Sequence, residues 1–296
     1  MRILVTGGTG LIGSALLKYW RDQHQITVLT RQAVASQQHS AALNYVNSLQ
    51  QVDFNQLDAV INLAGEPIAN KRWTDKQKQR ICDSRWQLTE QLSECIQAAT
   101  TPPGCLINGS AVGYYGRQGT EYISEEHNAF YPEFSHDICA RWENLAQRAS
   151  SDKTRVCLLR TGIVLSDQGG ALAKMLPAFR FGMGGPLGNG QQYMSWIHID
   201  DIVKLIDFLL QSPTLQGPFN AVAPKPVTNQ QFSQALAQRL NRPAKLTMPA
   251  FMLRLLFGEM ADILLYGQRV VPQQALDAGF KFQYPTLPAA LAELDL

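Results

Sequence analysis

The stretch Ile3-Leu4-Val5-Thr6-Gly7-Gly8-Thr9-Gly10-Leu11-Ile12-Gly13 decides the architecture of this chain. A short apolar, β-branched run meets spaced glycines, and from Gly13 to Trp20 the apolar positions recur at helical intervals. Glycines between a strand and a helix permit a tight turn and a close backbone approach. The unpaired N–H groups of the helix N-terminus then face a pyrophosphate. The glycines read either as G-x-x-G-x-x-G through Gly7, Gly10 and Gly13 or as G-x-G-x-x-G through Gly8, Gly10 and Gly13. In both readings Gly7, Gly10, Leu11, Ile12 and Gly13 are expected to meet a dinucleotide.

Working outward, further apolar runs alternate with helical patterns. Candidate strands are Ile3 to Thr6, Ile26 to Thr30, Leu43 to Val46, Val60 to Leu63, Cys105 to Asn108 and Val156 to Arg160. Candidate helices include Asp75 to Ala99 and Asp137 to Ala149, the latter with Asp137 as its cap. This alternation predicts an α/β fold, a Rossmann-like doubly wound parallel sheet with a smaller C-terminal substrate domain. The division places a nucleotide-binding domain at residues 1–165, joined by a returning segment near 195–225, and a substrate-binding region at 166–296. Within the latter, Gly182 to Gly190 reads as a long flexible stretch, and helices are expected at Asp201 to Leu210, Asn229 to Leu240 and Ala250 to Phe257.

Composition narrows the function. The chain has 296 residues, 45% of them hydrophobic, enough to bury a sizeable core and to exclude a disordered class. Its 26 Lys+Arg against 24 Asp+Glu leave +2, with no basic block to neutralise a row of phosphates, so no nucleic-acid partner is expected. The five cysteines are scattered without a C-x-x-C pair, which predicts neither a disulfide framework nor a metal site and suits a reducing, cytoplasmic setting. No uninterrupted apolar run reaches 18 residues and no leader-like stretch is apparent, so no membrane segment is expected.

The second strand sets the cofactor. NAD-binding folds place Asp or Glu there to accept hydrogen bonds from the ribose 2′-OH. Here the strand ends Thr30-Arg31. A cation at that point attracts a 2′-phosphate, which predicts NADP(H).

With the glycine loop, Asn62-Leu-Ala-Gly-Glu66 and Gly109-Ser-Ala-Val-Gly-Tyr-Tyr-Gly116, the chain resembles the extended short-chain dehydrogenase/reductases, the NAD(P)-dependent epimerase/dehydratase family. Leu63-Ala-Gly-Glu-Pro-Ile68, Cys139-Ala-Arg-Trp-Glu143, Leu159-Arg-Thr-Gly-Ile-Val-Leu165, Gly184-Gly-Pro-Leu-Gly188 and Trp196-Ile-His-Ile-Asp-Asp201 are similar to its atypical YfcH-type epimerase-like branch. The ending, about residues 248–295, resembles the small C-terminal region of that branch. The resemblance covers essentially the whole chain. It implies that Leu63, Ala64 and Gly65 line the adenine-ribose side, that Thr30 and Arg85 sit near the cofactor, and that Val164 touches the nicotinamide end through its backbone. It leaves open a homodimer through the two long helices flanking the fifth strand.

In that family a Tyr and a Lys, one helical turn apart in Y-x-x-x-K, work with a Ser on the preceding strand loop. Ser110 matches the Ser, whereas Cys139 and Glu143 stand at the Tyr and Lys positions. A carboxylate cannot replace the lysine, because its negative charge disfavours a nearby phenolate or thiolate. Two functions follow. The first is an NADP(H)-dependent oxidoreductase or epimerase-like enzyme acting on a small carbonyl or nucleotide-sugar-like substrate, with Ser110, Tyr114, Cys139 and Glu143 as catalytic candidates and Tyr115 as an alternative to Tyr114. The second is a non-catalytic NADPH-binding sensor or scaffold. For Cys139 a lowered pKa near a helix N-terminus competes with simple packing. His198 reads as a loop residue and Asp200 as the cap of the next helix.

Overall fold

The computed structural model describes residues 1–32 and 42–296. Among these, seven strands form one sheet: β1 (Arg2–Thr6), β2 (Gln25–Leu29), β3 (Leu43–Val46), β4 (Ala59–Asn62), β5 (Cys105–Ala111), β6 (Arg155–Thr161) and β7 (Gly217–Ala221). Their order is β7-β6-β5-β4-β1-β2-β3, and every neighbouring pair is parallel. This is the Rossmann-like α/β fold that the sequence predicts. Chain order reverses between β1 and β4, so a ligand crevice opens at their carboxyl ends, where Thr6 faces Asn62.

Alternation along β1 shows why the sheet needs cover on both sides. Ile3 and Val5 point to one face, packing with Leu16 and Trp20 and with Ile202 to Leu209. These belong to the helices α1 (Leu11–Tyr19) and α5 (Ile199–Gln211), apart from Trp20, which caps α1. Leu4, Val60, Leu106 and Val156 point to the other face, against Leu92, Ile96 and Ala146. Those residues come from α2 (Asp75–Ala98) and α3 (Phe134–Gln147). Strands buried on both faces are continuous apolar runs, and β4 is buried at every residue.

A second cluster joins α4 (Gly170–Arg180) and α6 (Asn229–Arg239) through Leu172, Leu176, Phe179, Phe232 and Leu236. Tyr284 and the final helix Leu287–Glu293 close it, contributing Leu287 and Leu291. Ala275 and Phe280, in contrast, belong to the cluster beneath β1.

Several local expectations are corrected. Helix α3 is capped at Glu133, and Asp137 lies in its first turn. Helix α5 is capped by His198, whose ring nitrogen Nδ1 accepts the N–H of Asp200 at 3.2 Å, so Asp200 and Asp201 are first-turn acids. His198 is a buried strand-end residue rather than a loop residue. Residues 182–190 are pinned rather than free. A Cβ on Gly185 would lie 2.1 Å from the Leu246 carbonyl oxygen, and Leu187 bridges Met248 in parallel. The seventh strand is absent from the candidate runs because Gly217-Pro218 disguises it as a turn.

Candidate functional site

The glycine loop packs as closely as its sequence demands. Gly7 has φ of +69°, and a Cβ there would come 2.6 Å from the carbonyl carbon and oxygen of Leu63. A Cβ on Gly13 would lie 2.2 Å from the Gly7 oxygen. Gly10 caps α1 without a side chain, so no cap side chain takes up the first-turn N–H groups of Leu11 and Ile12. The turn is therefore held against Leu63 and Ala64 by backbone contact, and it presents amide donors, as an anionic pyrophosphate requires. The residues present fit a dinucleotide.

Neighbouring elements complete the cradle. The Leu11 side chain lies 3.6 Å from where a Cβ on Gly169 would fall and 3.0 Å from where one on Gly170 would. The Val164 carbonyl oxygen is 3.5 Å from the same Gly170 position. Arg85 on α2 donates from Nη1 to the carbonyls of Glu66 (3.0 Å) and Ile81 (3.1 Å), and its guanidinium carbon lies 2.9 Å from where a Cβ on Gly65 would fall. Burial lowers the pKa of Arg85 from its usual value, although nearby acidic and thiol groups oppose the shift. Thr30 is buried, its hydroxyl accepting the Gln32 N–H at 3.1 Å. Asn47 donates from Nδ2 to the carbonyls of Thr30 (2.8 Å) and Gln32 (2.9 Å). These bonds hold the backbone on both sides of the exposed Arg31.

Beneath the crevice floor runs a buried polar chain. Thr6 donates to Asn62 (2.6 Å), and Asn62 donates to Asn108 (2.6 Å) and to Thr89 (2.8 Å). Trp142 also donates to the Thr89 hydroxyl, at 2.9 Å. Fully satisfied networks of this kind fix register and rigidify the strands that carry the loops.

Glu143 on α3 is buried in a bidentate pair with Arg160 of β6. Nε donates to Oε1 and Nη2 to Oε2, each at 2.8 Å. The Ser110 hydroxyl donates to the same Oε1 at 2.6 Å. Arg160 also donates from Nη1 to the Tyr115 hydroxyl (3.0 Å), which donates to Asn220 (2.8 Å). Burial acts against the charge of Arg160, but the hydrogen bonds and charge of Glu143 outweigh it, so its pKa ends above the ordinary value. Cys139 is buried, and burial, followed by the charge of Glu143, pushes its thiol up to about 12. Packing, not thiolate reactivity, is what this environment supports. Tyr115 is buried and its phenol is shifted upward, chiefly by burial.

Tyr114 differs from its neighbours. It is half-buried, its ring sits 3.6 Å from the Arg160 guanidinium carbon, and its backbone carbonyl accepts from His136 Nδ1 at 2.5 Å. Thus Ser110, Glu143 and Tyr114 converge on Arg160, a residue outside the candidates that the sequence suggests. One signal was present: Arg160 is a lone cation at the end of the apolar run Val156-Cys-Leu-Leu-Arg160. Asn47 and Thr89 carried no comparable signal. No group of His, Cys, Asp or Glu among the described residues could hold a metal ion.

Comparison with known proteins decides the family. The model of the NAD dependent epimerase/dehydratase family matches residues 3–222, and a domain of unknown function, DUF1731, matches residues 248–294. This chain belongs to the NAD dependent epimerase/dehydratase family. Among its relatives, the epimerase family protein Mb2239 of Mycobacterium bovis is 40% identical over 98% of this chain and 96% of its own length. A chloroplastic epimerase family protein SDR39U1 homolog of Arabidopsis thaliana is 39% identical over 98% of this chain and 86% of its own. The crystal structure of human epimerase family protein SDR39U1 with NADPH is 34% identical, covers 99% of both chains and superposes with a TM-score of 0.91. The UDP-glucuronic acid 4-epimerase of Bacillus cereus, crystallised with NAD, is 16% identical with a TM-score of 0.76 and shares the fold. The epimerase-family fold is thus built here around a buried Glu143–Arg160 ion pair.

Proposed function

We propose that this protein binds NADP(H) and is an oxidoreductase or epimerase-like enzyme of its family, acting on a small carbonyl or nucleotide-sugar-like substrate. The observation that carries the cofactor choice is Arg31, which follows the second strand where an acid would select NAD, on a backbone clamped by Asn47. Gly7, Gly10, Leu11, Ile12 and Gly13 would hold the pyrophosphate, Thr30 and Arg31 the phosphorylated ribose, Leu63, Ala64, Gly65 and Arg85 the adenine-ribose wall, and Val164 the nicotinamide end. When bound, the cofactor supplies reversible hydride transfer.

The chain's own part is orientation and a proton. Ser110 is turned toward Glu143, Cys139 is dry, and Glu143 is engaged by Arg160, so these three act as support around the reacting centre. Tyr114 is the proton-exchanging candidate. Its ring lies against the Arg160 guanidinium, 3.6 Å from ring centre to guanidinium carbon, which holds the tyrosine in place on the loop after β5. The same occupied network favours a second reading, a non-catalytic NADPH-binding sensor or scaffold.

Fluorescence titration with NADPH and NADH tests the cofactor half. Preference for NADPH, reversed by Arg31→Asp, is expected; unchanged relative affinities in that variant would refute the assignment. NADPH oxidation over a panel of carbonyls, sugars and quinones, lost in Tyr114→Phe with binding intact, separates the enzyme from the sensor.

A further inference from the structure

Large exposed apolar side chains gather where the end of α4 meets the segment leading into the helix after α6. Phe181 (79% exposed), Met183, Leu246 and, on α7 (Ala250–Phe257), Phe251 (70%), Leu255 (74%) and Leu256 are each more than half exposed. The segments carrying them are adjoining. Gly182 packs toward Pro243, Gly185 abuts Leu246, Leu187 bridges Met248, and α7 follows directly after its Pro249 cap. At about 150–200 Å² for a fully exposed large apolar side chain, the six offer on the order of 600 Å², a size that marks an interaction site rather than scattered exposure.

The charge around this face is one-sided. Residues 168–190 contain Lys174 and Arg180, residues 239–258 contain Arg239, Arg242, Lys245 and Arg254, and neither stretch contains an Asp or Glu. Lys174 and Arg239 are tied to backbone carbonyls, and Arg254 faces Asp262 at 3.7 Å. Arg180, Arg242 and Lys245 are exposed at the rim. The nearby acid Glu259 pairs with Lys78. The exposed cations adjoin the apolar side chains in the chain itself: Arg180 precedes Phe181, and Lys245 precedes Leu246. A second copy docked face to face would set these cations against their own kind. An anionic lipid surface would match both features, because hydrocarbon takes the apolar side chains and headgroups take the basic rim.

We propose that this face rests on the surface of an anionic bilayer, with α7 lying in the interface plane. No helix among the described residues is long and apolar enough to cross a membrane, so the association is peripheral. The proposal does not rest on the cofactor reading.

Flotation of the full chain with vesicles of phosphatidylcholine, with and without phosphatidylglycerol as one third of the lipid, tests it. At least tenfold more protein should float with the anionic vesicles at low salt, and most of that gain should vanish near ~0.5 M salt, where screening is strong. Phe251→Glu with Leu255→Glu should abolish flotation, and Arg242→Glu with Lys245→Glu should remove the anionic preference. Thermal unfolding of both variants, whose altered side chains are exposed, should match the parent. Absence of flotation on either vesicle, or equal flotation on both, overturns the proposal. So does a dimer in sedimentation velocity that Phe251→Glu dissociates, which would assign the face to a second copy.

Discussion

Glu143 and Arg160 are the residues on which the site turns. Removing one member of a buried bidentate pair leaves the other charge without its partner, at a typical cost of about 3–5 kcal/mol. Denaturant unfolding should show that loss for Arg160→Met and for Glu143→Gln separately. Glu143→Met with Arg160→Met should lose less than the two single changes combined, because no orphan charge remains. Single costs under about 1 kcal/mol would mean the pair is hydrated. His198 predicts a pH effect. Burial lowers its pKa from 6.5, against the pull of Asp200 and Asp201, and its Nε2 is buried without a hydrogen-bond partner among the described residues. A depressed folded pKa means that His198 contributes fully above pH 6.5 and that this contribution is lost as pH falls through the folded value. His198→Asn, which keeps a capping acceptor, should flatten the fall in stability below pH 6.5, as measured by urea unfolding at stepped pH.

At the scale of elements, the decisive object is the β1–α1 turn. The Gly13 neighbours that a Cβ would meet, Gly7 oxygen at 2.2 Å and Gly8 Cα at 2.7 Å, are backbone atoms that cannot rotate away. Gly13→Ala should therefore open the turn and weaken NADPH binding at least tenfold in a fluorescence titration. Gly119→Ala, where a Cβ meets nothing within 4 Å, should leave the titration unchanged. Equal behaviour of the two variants would show that the turn relaxes without cost. The turn was legible because its constraint is local: strand, glycines and helix follow one another within about a dozen residues. The caps of α3 and α5 were not. At α5, a His with a suitably placed ring nitrogen did what Asp usually does.

For the whole molecule, the C-terminal segment is a structural closure. Tyr284, Leu287, Leu291 and Leu294 complete the core around Phe179 and Phe232, while Ala275 and Phe280 sit with Ile3 beneath the sheet. Arg117 ties the segment across the molecule. It bonds Glu133 at 2.9 Å and Asp262 at 3.1 Å, with its guanidinium between the rings of Tyr131 and Tyr266. A chain ending at residue 247 would uncover both clusters and should be recovered as aggregate. Limited proteolysis of the full chain should correspondingly yield no stable 1–247 fragment. Recovery of such a fragment, folded by circular dichroism, would show that the segment is an appendage.

What the sequence determined by itself was everything carried by short-range pattern: the parallel sheet from alternating runs, and the tight turn between β1 and α1 from its glycines. Tertiary structure decided which groups surround Glu143. Ser110, Glu143 and Arg160 are 33 and 17 residues apart, on two strands and a helix, and only the packing of α3 on β5 and β6 brings them together. It also decided which apolar residues are covered. Leu253 and Leu255 are equivalent by composition and lie on one short helix, yet the fold buries the first and leaves the second in water. The physical reason is the same in both cases: a charge or an apolar side chain acquires its energy from its neighbours, and these neighbours are distant in sequence.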